Sequence, residues 1–280
     1  MSDRAPRANR RIGYGPDPNQ FGDLWLPAGQ GSHPVVVFIH GGYWRARYSL
    51  DHADFLCQAL AESGFAVWNI EYRRVGQQGG GWPGTFHDVV QAIRHVRSLA
   101  TTLPLDAQRV VLMGHSAGGH LALWAAGAPR LPAADGFGVA ELLPLRAVIA
   151  LAPVSDLRRA WELHLSQDAA AELLGGSPNL MPERYAVASP IELLPLGVPQ
   201  VLIHGTADDT VPFELSERYF AAANAAGDDC RLVTLPALGH FELIDPLSAA
   251  WPHVHGAVVR ALSAPLTSPA GAASGWPRPQ

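Results

Sequence analysis

A serine in a glycine-rich turn is the first residue whose surroundings indicate chemistry. Ser116 lies in the sequence GHSAG (114–118), between an apolar run at 109–113 and the helical pattern AGGHLALWAAG. Small residues on both sides let the chain turn sharply from a strand into a helix, which lifts the serine hydroxyl above the sheet. Ordinary glycine-rich turns share the five-residue pattern, but this context makes Ser116 a candidate nucleophile.

A serine hydroxyl becomes a good nucleophile when a base takes its proton and an acid orients that base. For this kind of turn the chain order is serine, then acid, then histidine. Asp208 follows the apolar run QVLI, and His240 lies in the loop after RLVTL. Both fall at the carboxyl ends of predicted strands, as Ser116 does. The sequence therefore predicts a triad of Ser116, Asp208 and His240.

Both partners of the serine have competitors. Asp209 is an alternative acid, although the spacing of the surrounding residues favours Asp208, which could otherwise be a turn-forming aspartate. His204, beside a glycine at a strand end, is interpreted as shaping the turn. Two further histidines lie in or before the last predicted helix and are expected at the surface. The position of His240 in a loop at the sheet edge makes it the preferred base.

The pentapeptide HGGYW begins at His40 and follows the apolar run VVVFI. When a serine attacks a carbonyl, the oxygen becomes an anion, and donors placed in advance stabilise it. Adjacent glycines leave backbone N–H groups free of side chains. We therefore expect an oxyanion hole formed by the N–H groups of Gly41, Gly42 and Ala117. Tyr43 is a further candidate donor, and His40 is expected to support the loop.

Aromatic side chains near these glycines are candidates for lining a substrate pocket. Tyr43 and Trp44 follow the glycines directly, and Trp82 lies in the glycine-rich segment VGQQGGGWPG. Each of them is also consistent with packing in the core. A pocket beside HGGYW suits a small acyl group, such as formyl or acetyl, on an aromatic or apolar leaving group.

Short apolar runs recur along the chain, with helical patterns between them. The expected strands are 35–39, 65–70, 109–113, 147–152, 200–203 and 231–235. Helices are expected to begin near Asp51, Thr85 and Ser116, and a last one is expected to carry Leu247. Alternating strands and helices predict an α/β protein with a mostly parallel central sheet and helices on both faces.

The spacing of these elements also predicts how the chain is organised. Residues 20–262 are expected to form one α/β domain. Within it, an insertion at about 153–198 is expected to lie over the carboxyl ends of the strands as a short cap. Residues 1–19 are predicted to be a flexible N-terminal segment. The tail at 263–280, rich in Pro, Ala, Ser and Gly, is predicted to be disordered.

Composition excludes several classes of protein. The 280 residues are 48% hydrophobic and 16% charged, which indicates a compact protein. A net charge of −5 without a basic stripe argues against nucleic acid as a partner. No run approaches the ~18 apolar residues of a membrane span, and no apolar stretch follows the first arginines as in a secretory signal. A cytoplasmic protein is therefore expected.

Metal and disulfide chemistry are not indicated either. The two cysteines are too few for a disulfide framework or a four-cysteine zinc site. Twelve histidines are present, but none forms the H-E-x-x-H spacing of a metalloprotease. The sequence leaves the oligomeric state open.

Several motifs in combination resemble the α/β-hydrolase superfamily over about residues 20–262: GHSAG, HGGYW, HGTADDTVP and GHFELIDP. The resemblance implies the α/β-hydrolase fold, a triad of Ser116, Asp208 and His240, and no cofactor. HGGYW is similar to the loop of serine-type kynurenine formamidases (arylformamidases). GHSAGGHLALW also resembles esterases related to the hormone-sensitive-lipase group and bacterial feruloyl or acetyl-xylan esterases.

The chain departs from each of these groups in one respect. In the formamidases a small residue other than glycine commonly follows the serine turn, and in the esterases HGGG is usual where this chain has HGGYW. The sequence thus predicts a serine hydrolase that cleaves small carboxylic esters or aryl formamides through an acyl-enzyme. The alternatives are a kynurenine formamidase specifically, a peptidase-like hydrolase, and a non-catalytic hydrolase-fold protein that binds a small ligand or a partner.

Overall fold

The computed structural model describes residues 7–131, 137 and 142–263. Within them, eight strands form one sheet: β1 (Arg10–Gly13), β2 (Phe21–Trp25), β3 (His33–Ile39), β4 (Ala66–Ile70), β5 (Leu105–His115), β6 (Leu145–Leu151), β7 (Gln200–Gly205) and β8 (Cys230–Leu235). Their order across the sheet is β1-β2-β4-β3-β5-β6-β7-β8. The pairs that involve β1 or β2 are antiparallel, and all the others are parallel.

Helices cover both faces of this sheet. They are α1 (Asp54–Glu62), α2 (Gly84–Leu99), α3 (Ala117–Gly127), α4 (Leu157–Glu162), α5 (Ala169–Leu174), α6 (Pro182–Ala188), α7 (Glu214–Ala225) and α8 (Trp251–Ser263). Successive side chains of a strand point to opposite faces. In β3, Val35, Val37 and Ile39 accordingly belong to the part of the core that includes residues of α2, α3 and α7, whereas Val36 and Phe38 belong to the part that includes residues of α1 and α8. The predicted α/β-hydrolase fold is confirmed.

All six strands expected from the apolar runs are present, but two helix predictions need correction. The helix expected near Asp51 begins with a 3₁₀ turn at Leu50–Ala53 before α1 starts. Leu247 does not belong to α8 and is 86% exposed. Its backbone N–H donates to Asp245 Oδ1 at 2.8 Å, an Asx turn that precedes the helix. None of the described helices is both long and apolar enough to cross a membrane.

The prediction of a flexible segment at 1–19 is wrong for β1. This strand pairs with β2, and the Arg11 guanidinium donates two hydrogen bonds to the Asp23 carboxylate, both at 2.8 Å. Ile12 is the one large apolar residue of β1, so no periodic pattern marks it as a strand. In the tail at 263–280, only Ser263 lies within the described residues.

The insertion at 153–198 contains α4, α5 and α6. It contacts the loops that follow β3 and β4. Arg45, after β3, binds Glu172 through a 2.7 Å ion pair, and the N–H of Trp82 donates to Leu173 O at 2.8 Å. These contacts hold the insertion beside the carboxyl ends of the strands. Its role as a cap over the site stays a prediction.

A buried histidine of α3 is held in its neutral form. The Trp44 indole N–H donates to His120 Nδ1 at 3.2 Å, so His120 Nε2 carries the proton and donates to Ala188 O at 2.9 Å. Burial lowers the pKa of His120 to about 4. Protonation at Nδ1 would remove the acceptor that Trp44 uses.

This pairing makes stability dependent on pH. His120 titrates near 6.5 in the unfolded chain and near 4 in the fold, so between these values the unfolded state binds the extra proton. We expect the free energy of unfolding to fall as pH decreases from about 6.5 to about 4, and His120→Gln to flatten that slope. Denaturant titrations across this pH range measure it, with the exposed His253→Gln as control. Equal slopes in wild type and His120→Gln would contradict the assignment.

Candidate active site

The turn that carries Ser116 has the geometry of a nucleophile elbow. β5 ends one residue before Ser116 and α3 begins one residue after it. Ser116 has φ 59° and ψ −120°, a conformation that non-glycine residues seldom adopt. A Cβ at Gly114 would lie 2.1 Å from Gly118 O, and a Cβ at Gly118 would lie 2.0 Å from Ile39 O. The turn therefore requires both glycines of the GHSAG pattern.

The glycine pair of HGGYW lies directly against this turn. A Cβ at Gly41 would come within 2.9 Å of His115 O and 3.0 Å of Ser116 Cβ, and Gly42 has φ 105°. Within the described part of the chain, no group accepts a hydrogen bond from the backbone N–H of Gly41, Gly42 or Ala117. Free donors beside a nucleophile are what an oxyanion hole requires.

Filling this space tests the glycine loop. In Gly41→Ala the new methyl group would force the loop away from the elbow and misplace its N–H groups. We expect kcat for p-nitrophenyl acetate to fall by about 10²–10³, the usual effect of losing one oxyanion donor, with little change in KM. Gly13→Ala is the control, because a Cβ there meets nothing nearer than 3.8 Å. Wild-type kcat in a folded Gly41→Ala variant would exclude the loop from the site.

His240 and Asp208 form a buried pair. His240 Nδ1 lies 2.6 Å from Asp208 Oδ2. The other oxygen, Oδ1, accepts hydrogen bonds from the backbone N–H groups of Thr210 at 2.9 Å and Val211 at 2.8 Å. Because Nδ1 faces a carboxylate, it carries the ring proton, which leaves Nε2 free to accept one. This is the tautomer that a general base for a serine requires.

The structure brings Asp208, rather than Asp209, to the histidine. Burial disfavours charge on Asp208, but hydrogen bonds from His204, His240 and the backbone outweigh it and hold the pKa of this carboxyl well below its ordinary value. Asp208 is therefore ionised at neutral pH. Asp209 is exposed and accepts a hydrogen bond from the Thr210 hydroxyl at 3.1 Å.

His115 joins the elbow to the loop that carries the base. The ring centroids of His115 and His240 are 4.3 Å apart, and His115 Nε2–H donates to His240 O at 3.1 Å. Burial is the main cause that lowers the pKa of His115 well below its ordinary value, so this ring is neutral. The residue before Ser116 thus binds the backbone of the predicted base.

His40 supports the glycine loop from within the core. Its Nδ1 lies 2.7 Å from Gly41 O and its Nε2 lies 2.7 Å from Glu71 Oε1, while the ring stacks on Tyr72. The ring therefore bridges the carbonyl oxygen of Gly41 and the carboxylate of Glu71. Glu71 was missed from the sequence. Its one signal is its place in IEYRR, directly after β4.

The aromatic pocket candidates occupy different places. Trp44 is 1% exposed and packs in the core, so the prediction that it lines a pocket is wrong; its indole N–H finds its partner there, on His120. Tyr43 is also buried, and its hydroxyl donates to Thr210 O at 2.6 Å. This hydrogen bond connects the glycine loop to the loop that carries Asp208, the acid loop. Burial raises the pKa of Tyr43 to about 12. Trp82 is partly exposed and stays a candidate.

Two exposed aromatic residues near the site were not anticipated. Phe241 is 64% exposed, and its ring centroid lies 5.2 Å from that of His240. Tyr48 is 42% exposed and packs so closely on Gly42 that a Cβ there would lie 2.4 Å from Tyr48 Cβ. In the sequence, Phe241 could have been noticed as the residue after the predicted base.

The family follows from a match that covers most of the chain. The model of the BD-FAE family matches residues 23–222, which include the glycine loop, the elbow and the predicted acid. The chain belongs to the BD-FAE family. Isoprenylcysteine alpha-carbonyl methylesterase ICME of Arabidopsis thaliana is 29% identical over 260 residues, covering 86% of this chain and 58% of that protein. Esterase LipC of Mycobacterium tuberculosis is 28% identical over 250 residues, covering 84% and 60%.

Solved structures with the same fold are also esterases. Esterase B from Lactobacillus rhamnosis has a TM-score of 0.78 at 23% identity, covering 93% of this BD-FAE chain and 87% of that chain. At this identity the likeness shows the fold alone. Thermogutta terrifontis Est2 with bound propionate has a TM-score of 0.68 at 26% identity, covering 90% and 92%.

The BD-FAE match shows the family, and the esterase relatives agree with the predicted enzyme class, a serine hydrolase of the carboxylesterase type. The chain spans about three-fifths of the length of these curated relatives. The reactions that their names describe are therefore not assigned to this chain. The resemblance to arylformamidases stays a prediction.

Proposed function

We propose that this BD-FAE protein hydrolyses small carboxylic esters or aryl formamides through an acyl-enzyme on Ser116. The observation that carries the proposal is the 2.6 Å bond between His240 Nδ1 and Asp208 Oδ2, which leaves Nε2 unprotonated. Support comes from the elbow conformation of Ser116 and from the contact of His115 with the backbone of His240.

In the acylation step, Ser116 Oγ attacks the carbonyl carbon of the substrate while His240 Nε2 takes the hydroxyl proton. The ionised Asp208 stabilises the resulting imidazolium. The carbonyl oxygen, now an anion, accepts hydrogen bonds from the N–H groups of the oxyanion hole, namely Gly41, Gly42 and Ala117. The tetrahedral intermediate then expels the alcohol or amine, which receives the proton from His240.

Deacylation uses the same groups, with water as the nucleophile and Ser116 Oγ as the leaving group. His240 Nε2 takes a proton from water as the water oxygen attacks the acyl carbon, and the oxyanion hole again holds the carbonyl oxygen. Collapse of the second intermediate breaks the bond to Ser116 Oγ, which recovers its proton from His240. The products are the free acid and the unmodified enzyme.

The proposed substrate has a small acyl group and an aromatic or apolar leaving group. Gly41 lies so close to Ser116 that little room is left on that side of the nucleophile. The exposed rings of Phe241 and Tyr48 offer apolar contact near the site. The HGGYW loop, similar to that of arylformamidases, favours kynurenine formamidase as the second candidate.

Turnover of p-nitrophenyl acetate, p-nitrophenyl butyrate and N-formylkynurenine by the purified protein separates these possibilities. We expect acetate to be cleaved with a higher kcat/KM than butyrate. A strong preference for N-formylkynurenine would identify a formamidase. A preference for butyrate would contradict the small acyl pocket, and no turnover at all by the folded protein would favour a non-catalytic binding protein.

A further inference from the structure

His204 binds the same carboxylate oxygen as the predicted base. Its Nε2 lies 3.2 Å from Asp208 Oδ2, the oxygen that His240 Nδ1 approaches to 2.6 Å. The side chains of His204 and Asp208 are both fully buried. The sequence had indicated only a turn-shaping residue at this position.

The neighbours of His204 determine where its proton lies. Nε2 faces two acceptors, Asp208 Oδ2 and Val211 O, the latter at 3.0 Å, so Nε2 carries the hydrogen. Nδ1 lies 2.7 Å from the hydroxyl oxygen of Ser216, a fully buried residue of α7. In the neutral ring this hydroxyl donates to Nδ1. The hydrogen bonds therefore run in one direction, from Ser216 through His204 to Asp208.

This chain of hydrogen bonds ties the acid loop to rigid elements. The N–H groups that bind Asp208 Oδ1 come from Thr210 and Val211, which belong to the same loop and move with it. His204 belongs to β7 and its partner Ser216 to α7. Among the described contacts of the Asp208 carboxylate, the hydrogen bond from His204 connects this carboxylate to β7, the strand that precedes the acid loop.

We propose that His204 is a positioning residue that holds Asp208 Oδ2 within hydrogen-bonding distance of His240. The inference rests on the proposed function, because it assigns a role in orienting the base. Loss of the His204 N–H lets the carboxylate turn away from His240, so the base is oriented less often. His204 is fully buried and does not reach the substrate, so its loss affects kcat and leaves KM unchanged.

Two amide variants separate the contact with Asp208 from the contact with Ser216. His204→Gln places an amide N–H near the position of Nε2, whereas the shorter His204→Asn reaches only the position of Nδ1. We expect kcat for p-nitrophenyl acetate to fall by about 10²-fold in His204→Asn, as for a misplaced catalytic group, with KM unchanged. We expect His204→Gln to restore most of the activity.

Tyr219→Phe is the matched control. The Tyr219 hydroxyl donates to Gln200 Oε1 at 2.7 Å, a buried hydrogen bond between the same two elements, β7 and α7, at the start of β7. Its loss should lower the midpoint of thermal unfolding without lowering kcat. If Tyr219→Phe lowers kcat as much as His204→Asn, general loosening of β7 and α7 explains the loss and the inference is overturned.

The remaining outcomes distinguish this inference from the proposed function. If Asp208→Asn is inactive, either of two results overturns the positioning role alone. One is wild-type kcat in His204→Asn, and the other is a kcat that is equally low in His204→Asn and His204→Gln. No turnover by the wild-type protein overturns the proposed function and this inference together. Should His204→Asn fail to fold, His204→Gln still decides, because a folded Gln variant with kcat reduced by about 10²-fold contradicts the role of the N–H.

Discussion

Ser116→Ala lowers kcat for p-nitrophenyl acetate by about 10⁵–10⁶ and leaves the fold intact. The loss is this large because the hydroxyl forms the covalent intermediate, and without it only the oxyanion hole and substrate binding remain. Stability changes little, because alanine keeps the Cβ and the positive φ of 59° is equally unfavourable for both residues. Steady-state kinetics and thermal unfolding measure the two effects.

Ser98→Ala, on the exposed face of α2, is the matched control and should keep wild-type kinetics. A burst of p-nitrophenolate equal to the enzyme concentration would show the acyl-enzyme in the wild type, if deacylation limits turnover. Ser116→Ala should show no burst. Activity that survives this substitution undiminished would disprove the triad.

The second large effect separates two adjacent carboxylates. Asp208→Asn should lower kcat by about 10⁴, because the amide N–H₂ facing His240 Nδ1 selects the tautomer in which Nε2 already carries the proton. Asp209→Asn should keep wild-type kcat, since Asp209 is exposed and its recorded side-chain hydrogen bond is with Thr210. Both variants remove one negative charge, so a difference between them reports position rather than charge.

The kinetics of both variants are best compared at neutral pH, where Asp208 is ionised because its pKa is held below the ordinary value. A larger loss in Asp209→Asn than in Asp208→Asn would reverse the assignment of the acid. Small losses in both would mean that neither carboxylate orients the base, and the 2.6 Å contact would then be structural only.

The amino-acid sequence by itself determined the parts of this protein whose physics is local. Continuous apolar runs predict strands buried on both faces, and all six expected strands are present. The nucleophile turn is equally local, because a strand, two glycines around Ser116 and a helix start fall within a few residues. The order of Ser116, Asp208 and His240 along the chain then placed all three candidates at one edge of a parallel sheet.

The sequence could not show which residues meet once distant segments pack. Glu71 reaches His40 across 31 positions because β4 and β3 are neighbours in the sheet, an order that no local pattern encodes. β1 is held by pairing with β2, although Ile12 is its one large apolar residue. Trp44 follows the glycine loop but is buried against His120 of α3.

The same reason explains why the sequence does not show that His204 contacts Asp208. In the sequence it is a histidine beside a glycine at a strand end, which any turn could use. Only the tertiary structure brings α7 against β7, so that Ser216 binds one nitrogen and Asp208 the other. Hydrogen bonds between buried side chains depend on strand order and helix packing, and these are decided by the whole core rather than by neighbouring residues.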